Sequence, residues 1–147
     1  TTEEPTTEAP TTEAPTTEAP VTEAPTSDLG QQIANFACQF VGNPYVWGGT
    51  SLTNGADCSG FVQSVYKNFG YSLPRTCTPQ SNAGTAVSLA ELAPGDLVFY
   101  DHGTGSCEHV GIYIGNGQIV HASSSRTGIK ISNVNYSTPF KACRIVN

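Results

Sequence analysis

A five-residue repeat at the amino end limits how much of this chain can fold into a compact domain. Residues 6–25 are four copies of one unit, TTEAP three times and then VTEAP, and TTEEP precedes them. Half of the ten prolines lie here, without any glycine or aromatic residue. Such a segment cannot bury enough apolar surface to offset the entropy of ordering. We therefore expect residues 1–27 to be a disordered linker, acting as a stiff extended stalk or only as a solubilising tail.

The net negative charge of the chain comes from this stalk. The formal net charge is -6, and residues 1–27 carry six glutamates and no base, whereas the rest carries six acids and six bases. A neutral domain with scattered bases offers no footprint for a nucleic-acid backbone, so we expect no nucleic-acid partner. No apolar run approaches the ~20 residues that span a bilayer, so we expect no membrane insertion. The chain begins with Thr and lacks a signal-peptide pattern, which favours a piece of a larger modular secreted protein.

Residues 28–147 form the predicted domain. Apolar residues recur at helical spacing from Leu29 to Val41, and again from Phe61 to Phe69 after a loop. The period then becomes strand-like, in five runs separated by Gly and Asn turns: 97–100, 110–114, 118–122, 129–132 and 142–146. Two helices followed by a meander of strands predict an α+β domain with helices packed on a mostly antiparallel sheet.

Cys58 lies at the expected amino end of the second helix, where unpaired N–H groups and the helix dipole favour a thiolate. A cysteine nucleophile needs a histidine base and a third group that orients this base. The candidates are His102, His109 and His121. A buried cysteine with structural histidines is the simpler alternative. A zinc site that uses Cys58, Cys77, Cys107 and the histidines is the competing chemistry, although no cysteine pair has the close spacing typical of structural zinc.

The register of one hairpin decides whether two of these histidines can cooperate. A two-residue Asn116-Gly117 turn would place His109 and His121 on opposite faces of the sheet. A three-residue loop over 115–117 pairs Ile114 with Gln118 and Gly111 with His121, which places both imidazoles on one face at diagonal positions. We expect the three-residue loop.

Several motifs in order resemble the NlpC-type cell-wall peptidases. They are DCSGFV at 57–62, PGDLVF at 94–99, HVGIYIG at 109–115 and HA at 121–122, with further likeness at 44–49 and 73–76. The resemblance covers residue 29 to the carboxyl end. It implies a papain-like α+β domain that cleaves peptide stems of bacterial peptidoglycan, typically between D-γ-glutamate and the following diamino acid. It also implies a location in or near the cell wall, and no metal or cofactor.

The same resemblance assigns roles to individual residues. Cys58 would be the nucleophile, His109 the general base and His121 the group that orients His109. Tyr45 would lie near the oxyanion, and Asp57 and Ser59 would contact the stem peptide. Arg75 would meet a substrate carboxylate or be a surface base. His102 has no counterpart and is expected in a solvated loop, and Trp47 is expected to cap the core more than to contact substrate.

If Cys58 stays free, the four remaining cysteines allow two disulfides in three pairings. Chain order favours Cys38–Cys143 and Cys77–Cys107, which would suit an oxidising exterior. We expect a monomer. A wall amidase or transpeptidase with the same thiol chemistry is the rival enzyme, and a catalytically silent wall-binding module is the rival from another class.

Overall fold

The computed structural model describes residues 28–146, so the expected stalk over 1–27 and Asn147 lie outside the described residues. Three helices and eight strands follow one another in this part of the chain. They are α1 Asp28–Cys38, β1 Thr50–Ser51, β2 Gly55–Ala56, α2 Cys58–Lys67, α3 Cys77–Ser81, β3 Thr85–Ala86, β4 Leu97–Tyr100, β5 His109–Gly115, β6 Gln118–Ser124, β7 Gly128–Asn133 and β8 Pro139–Arg144.

The main sheet has six strands in the order β3-β8-β4-β5-β6-β7, and each neighbouring pair is antiparallel. Helices α1 and α2 lie against its middle strands, β5 and β6. This arrangement confirms the predicted α+β class with helices packed on an antiparallel sheet. None of the helices between residues 28 and 146 combines the length and the apolar character that crossing a membrane requires.

Helix α2 forms because its apolar residues share one stripe and its first turn is capped. Asp57 precedes the helix in an extended conformation and accepts a hydrogen bond from the Gly60 N–H group at 2.8 Å. The stripe of Phe61, Val62, Val65 and Tyr66 is fully buried against the sheet. The helix therefore presents its capped amino end, with Cys58 as its first residue, at a fixed place beside β5.

The other face of the sheet is covered by loops. Its buried apolar side chains are Val98, Tyr100, Tyr113, Ile119 and Ala142, with Leu92 and the half-buried Val87 and Val134 packed over them. The Tyr100 hydroxyl donates a hydrogen bond to the Val134 carbonyl at 2.8 Å. The segment between β7 and β8 is thereby held across the sheet near the start of β5.

Element bounds differ from the predictions where tertiary contacts decide them. Helix α1 ends at Cys38 rather than near Gly42, because Gln39 and Phe40 donate to carbonyls three residues back and tighten the chain into turns. Strand β8 begins at Pro139 rather than Ala142, because it pairs with the whole of β4. Helix α3 and the two-residue strands β1, β2 and β3 were not predicted, because such short elements carry no periodic pattern.

One of the two expected disulfides is present. Cys77 and Cys107 are bonded, with their Cα atoms 5.9 Å apart. The expected pairing of Cys38 with Cys143 is wrong, since both are free. Cys38 ends α1, which lies on β5 and β6, whereas Cys143 lies in β8, which β4 separates from β5.

Candidate active site

Cys58 opens α2 at the edge of a cleft of about 700 Å³. The N–H groups of Val110, Ser59 and Cys58 itself donate to its sulfur. The predicted position at a helix amino end is confirmed. The predicted low pKa is wrong: burial raises the pKa of the Cys58 thiol, and the Asp57 carboxylate adds to this, so that the N–H groups only partly offset the increase. The resting sulfur is therefore a thiol that needs a base to remove its proton.

His109, the first residue of β5, lies on the same cleft as Cys58. Its Nε2 atom is 2.6 Å from Nδ1 of His121, and Nε2 of His121 is 2.9 Å from the Ser132 hydroxyl. If His121 carries its proton on Nε2 and donates to Ser132, its Nδ1 accepts from His109 Nε2–H. This chain of hydrogen bonds leaves Nδ1 of His109 unprotonated, which is the form that can accept a proton from the thiol.

The hairpin between β5 and β6 brings the two imidazoles together. Ile112 pairs with Val120 and Tyr113 with Ile119, as the predicted register requires. The predicted three-residue loop is wrong in detail, because Gly115 pairs with Gln118 around a two-residue Asn116-Gly117 turn. A β-bulge between Tyr113 and Gly115 accommodates one extra residue in β5. The bulge therefore gives the alignment of His109 and His121 that the three-residue loop was expected to give.

Both histidines are buried and neutral. Burial, with the neighbouring His121 and His102, lowers the pKa of His109 to about 3. Burial, with Lys130 and His102, lowers the pKa of His121 to about 4. Near neutral pH the arrangement is thus a thiol beside a neutral imidazole, which is suited to a proton transfer coupled to nucleophilic attack.

Asp57, Ser59 and Arg75 form one ion-paired cluster on the wall of the cleft. Arg75 donates to both Asp57 carboxylate oxygens at 3.1 Å and to the Ser59 hydroxyl at 3.0 Å. Burial opposes ionisation of Asp57, but the hydrogen bonds from Arg75, Gly60 and Gly48 outweigh it and lower the pKa of this carboxyl. All three side chains reach the cleft, so the structure brings them together with Cys58.

Tyr45 and Trp47 also line the cleft. Cys58 is close enough to Tyr45 to raise the pKa of its hydroxyl, in addition to the effect of burial. The prediction that Trp47 caps the core is wrong, since this side chain is 86% exposed. Trp47 lies at the tip of a turn that the Gly49 N–H group closes on the Val46 carbonyl, which directs the indole away from the core.

Two of the cysteines in the predicted zinc alternative cannot bind a metal ion in this structure. Cys77 and Cys107 are bonded to each other and carry no thiolate. Within residues 28–146, no three or more His, Cys, Asp or Glu side chains are grouped to hold a metal ion.

Comparison with known proteins identifies the family. The NlpC/P60 family model matches residues 42–146. The chain belongs to the NlpC/P60 family. Over 105 residues it is 42% identical to a gamma-D-glutamyl-L-lysine dipeptidyl-peptidase of Bacillus cereus, covering 70% of this chain and 31% of that protein. Over 98 residues it is 45% identical to the probable endopeptidase p60 of Listeria innocua, covering 67% of this chain and 20% of that protein. The chain thus spans less than a third of the length of these relatives.

Solved structures of the NlpC/P60 family have the same fold. An NlpC/P60 family protein from Bacillus cereus superimposes with a TM-score of 0.75 at 37% identity, covering 84% of this chain and 42% of that one. The NlpC/p60 domain of the peptidoglycan hydrolase SagA superimposes with a TM-score of 0.71 at 36% identity, covering 78% of this chain and 97% of that one.

Three residues of this NlpC/P60 site, Ser132, Gln80 and Tyr136, escaped the sequence analysis, and the contact of His102 with His109 was not predicted. Ser132 ends the histidine relay, and the buried Gln80 donates to the Ser59 carbonyl at 3.0 Å and so supports the start of α2. His102 lies in an exposed loop, as expected, but its ring stacks on His109, and Tyr136 packs beside both. Only tertiary contacts bring these residues to the site, and no local sequence signal marks them.

Proposed function

We propose that this domain is a cysteine peptidase that hydrolyses peptidoglycan stem peptides at the bond between D-γ-glutamate and the following diamino acid. The observation that carries the proposal is Cys58 at a helix amino end in a cleft shared with His109, whose Nε2 atom is hydrogen-bonded to His121 at 2.6 Å. The activity of an NlpC/P60 relative supports this bond: the Bacillus cereus protein is a gamma-D-glutamyl-L-lysine dipeptidyl-peptidase.

Each proton in the proposed reaction has a named carrier. Nδ1 of His109 takes the Cys58 proton as the sulfur attacks the γ-carbonyl carbon, and the oxygen becomes an oxyanion. The Cys58 N–H group and the Tyr45 hydroxyl are the proposed donors to this oxyanion. As the C–N bond breaks, His109 returns the proton to the leaving amine of the diamino acid. Water, deprotonated by His109, then hydrolyses the thioester and releases the γ-carboxylate and the Cys58 thiol.

The remaining site residues have supporting roles in this proposal. His121 and Ser132 hold His109 in the required tautomer. Asp57, Ser59 and Arg75 form the part of the wall that contacts the stem peptide, with the charge of Arg75 already balanced by Asp57. The peptide chemistry described above uses only these side chains and water.

We also propose where and how the domain works. Its substrate places it outside the cell or at the wall, as a secreted protein. The compact unit is residues 28–147, residues 1–27 are its linker, and the chain is a monomeric module of a larger protein. These proposals rest on the repeat composition of residues 1–27 and on the wall hydrolases among the NlpC/P60 relatives.

Digestion of purified peptidoglycan, with products read by mass spectrometry, tests the activity. The wild-type chain is expected to release peptides that begin with the diamino acid, and Cys58→Ala is expected to release none. Cys38→Ala is the matched control, because Cys38 is also a free, partly buried thiol but lies outside the cleft. It should cleave like the wild type.

Other products would contradict the proposed activity and identify a different one. Intact stems released from sugar would identify an amidase, and new cross-links would identify a transpeptidase. No product under mildly reducing conditions, with equal binding of wild type and Cys58→Ala to the wall, would identify a binding module.

A further inference from the structure

An exposed histidine covers the buried catalytic one. His102 belongs to the loop between β4 and β5, and its ring stacks on His109 with centroids 5.9 Å apart and planes 23° from parallel. Tyr100 packs on the inner side of both rings, at 6.5 Å from His102 and 6.2 Å from His109. His109 is therefore enclosed by rings rather than open to the cleft on every side.

The loop holds His102 in an unusual backbone conformation. His102 has a φ of 50°, in the left-handed region that non-glycine residues rarely adopt. Asp101 stabilises this turn, because its carboxylate accepts from the Gly103 N–H group at 3.0 Å and its carbonyl accepts from the Thr104 hydroxyl at 2.7 Å. The Cys77–Cys107 disulfide anchors the far end of the same loop. Strain of this kind persists where the surroundings impose it, and it clusters at functional sites.

Tyr136 completes the enclosure from the other side. It comes from the segment between β7 and β8, and its ring lies 5.2 Å from His121 and 6.4 Å from His109. Its hydroxyl is 3.4 Å from Nε2 of His102, a long contact that links the two loops above the histidine pair. Two separate loops thus meet over His109 and His121.

We propose, on the basis of the proposed function, that His102 is a positioning residue: its ring, held by Tyr136, stacks on His109 and sets the orientation and the electrostatic surroundings of the general base. His102 touches the general base and acts on the substrate only through it.

The charges around His109 agree with this role. Burial lowers the pKa of His109 most, followed by His121 and then His102. The other titratable groups facing the pair are Cys58 on α2, Tyr100 on β4 and Tyr136, with Lys130 on β7 acting on His121. The adjacent Glu108 is exposed, and its carboxylate is 3.4 Å from the Thr104 hydroxyl. His102 is therefore the ring that both stacks on His109 and lowers its pKa from outside the histidine pair.

The test compares His102→Ala, His102→Asn and Tyr136→Phe with the wild type. Asparagine tolerates the left-handed conformation and can bond to Tyr136 but carries no charge. We expect His102→Ala to lower kcat about three- to tenfold and His102→Asn to recover part of that loss. In both, the acid limb of kcat/KM should move to higher pH by roughly half a unit, because the repulsion is lost. Tyr136→Phe should lower kcat less and move the limb in the same direction.

A second readout separates this proposal from the proposed function. The titration of His109 is followed by NMR in the folded chain, with circular dichroism confirming folding at each pH. It needs no substrate, and the His109 midpoint is expected to rise in both His102 variants. If it stays within 0.2 pH unit of the wild type, or if Ala and Asn both keep wild-type kcat, the proposal is overturned. Absent turnover with a shifted midpoint would instead refute only the proposed function.

Discussion

At the residue scale, the contact of His109 with His121 sets the tautomer of His109 in the proposed reaction, and Ser132 supports His121 at the far end of this relay. The relay matters because only the Nε2–H tautomer leaves Nδ1 free for the Cys58 proton. We expect His121→Ala to reduce kcat on the order of 100-fold, since misorientation of a general base removes most of its contribution. Ser132→Ala should reduce kcat only several-fold, because His121 keeps its bond to His109.

Steady-state kinetics on a soluble stem peptide measures both variants. KM should change little, as neither side chain lines the cleft. A Ser132→Ala enzyme as slow as His121→Ala would show that the relay, rather than the His109–His121 contact alone, sets the tautomer. A His121→Ala enzyme with wild-type kcat would contradict the orienting role.

The sequence predicts the placement of the candidate catalytic residues because they occupy special local positions. Cys58 follows a capping Asp57, and His109 and His121 flank a Gly-Asn-Gly turn, so their placement follows from short-range rules. The pKa of Cys58 was not predictable in this way. The helix terminus favours the thiolate locally, but burial of the sulfur by distant segments outweighs that effect. Tyr136 was missed and the contacts of His102 were not predicted for the same reason, because they join loops 34 residues apart.

At the element scale, the β5–β6 hairpin aligns the two histidines only because Gly111 lies opposite His121. A Cβ atom on Gly111 would be 2.7 Å from Cδ1 of Ile119 and 3.3 Å from Cβ of His121. We expect Gly111→Ala to push the His121 ring from its 2.6 Å contact and to lower kcat by about tenfold. The measurement is kcat and KM on a stem peptide, with the free energy of unfolding from urea titration.

Gly117→Ala is the comparison for this hairpin. Gly117 has a φ of 74°, and nothing lies within 4 Å of a Cβ placed there. It should therefore cost stability through backbone strain but leave kcat nearly unchanged. If Gly117→Ala slowed the enzyme as much as Gly111→Ala, the effect would be general loosening of the hairpin rather than displacement of His121.

The strands show what periodicity can and cannot predict. The apolar run over 110–114 predicts a strand, and the structure confirms it as part of β5, which is buried on both faces. The bulge near Ile114 was not predicted. Both the two-residue and the three-residue loop place apolar residues on a buried face close to the turn, so the apolar pattern does not distinguish them. The register of the hairpin was nevertheless predicted correctly, since the two histidines and Gly111 require one alignment.

At the scale of the whole molecule, the Cys77–Cys107 disulfide joins α3 to the loop that carries His102. It closes a loop of about 30 residues, which corresponds to roughly 3–4 kcal/mol of stability in the chain-entropy treatment. We expect the Cys77→Ser/Cys107→Ser double variant to lose about that much free energy of unfolding. Urea titration measures it, and added reductant should destabilise the wild type but leave the double variant unchanged. Equal stability of the two proteins without reductant would show that the bond does not constrain the folded domain.

The pH dependence of folding follows from the two buried histidines. Their pKa values are lowered to about 3 and about 4 in the folded chain, whereas an unfolded histidine titrates near 6.5. Between pH 6.5 and 4 the unfolded chain therefore binds protons that the folded chain excludes. The free energy of unfolding therefore increases as the pH rises through this window and decreases as the pH falls. Asp57, whose pKa is also lowered, adds a loss in the same direction only below about pH 4.

We accordingly expect the stability of the wild type to fall by up to about 1.4 kcal/mol per pH unit for each of the two histidines on acidification. Urea titrations at pH 7.5, 6.5, 5.5 and 4.5 measure the slope. His109→Asn/His121→Asn removes both titrating groups and should flatten it, although this variant starts from a lower stability at pH 7.5. A wild-type slope no steeper than that of the double variant would mean that these imidazoles already carry protons in the folded state. The proposed proton transfer requires a neutral His109, so the proposed mechanism would then be wrong as well. The same measurement therefore tests both the pH dependence of folding and the chemistry of the site.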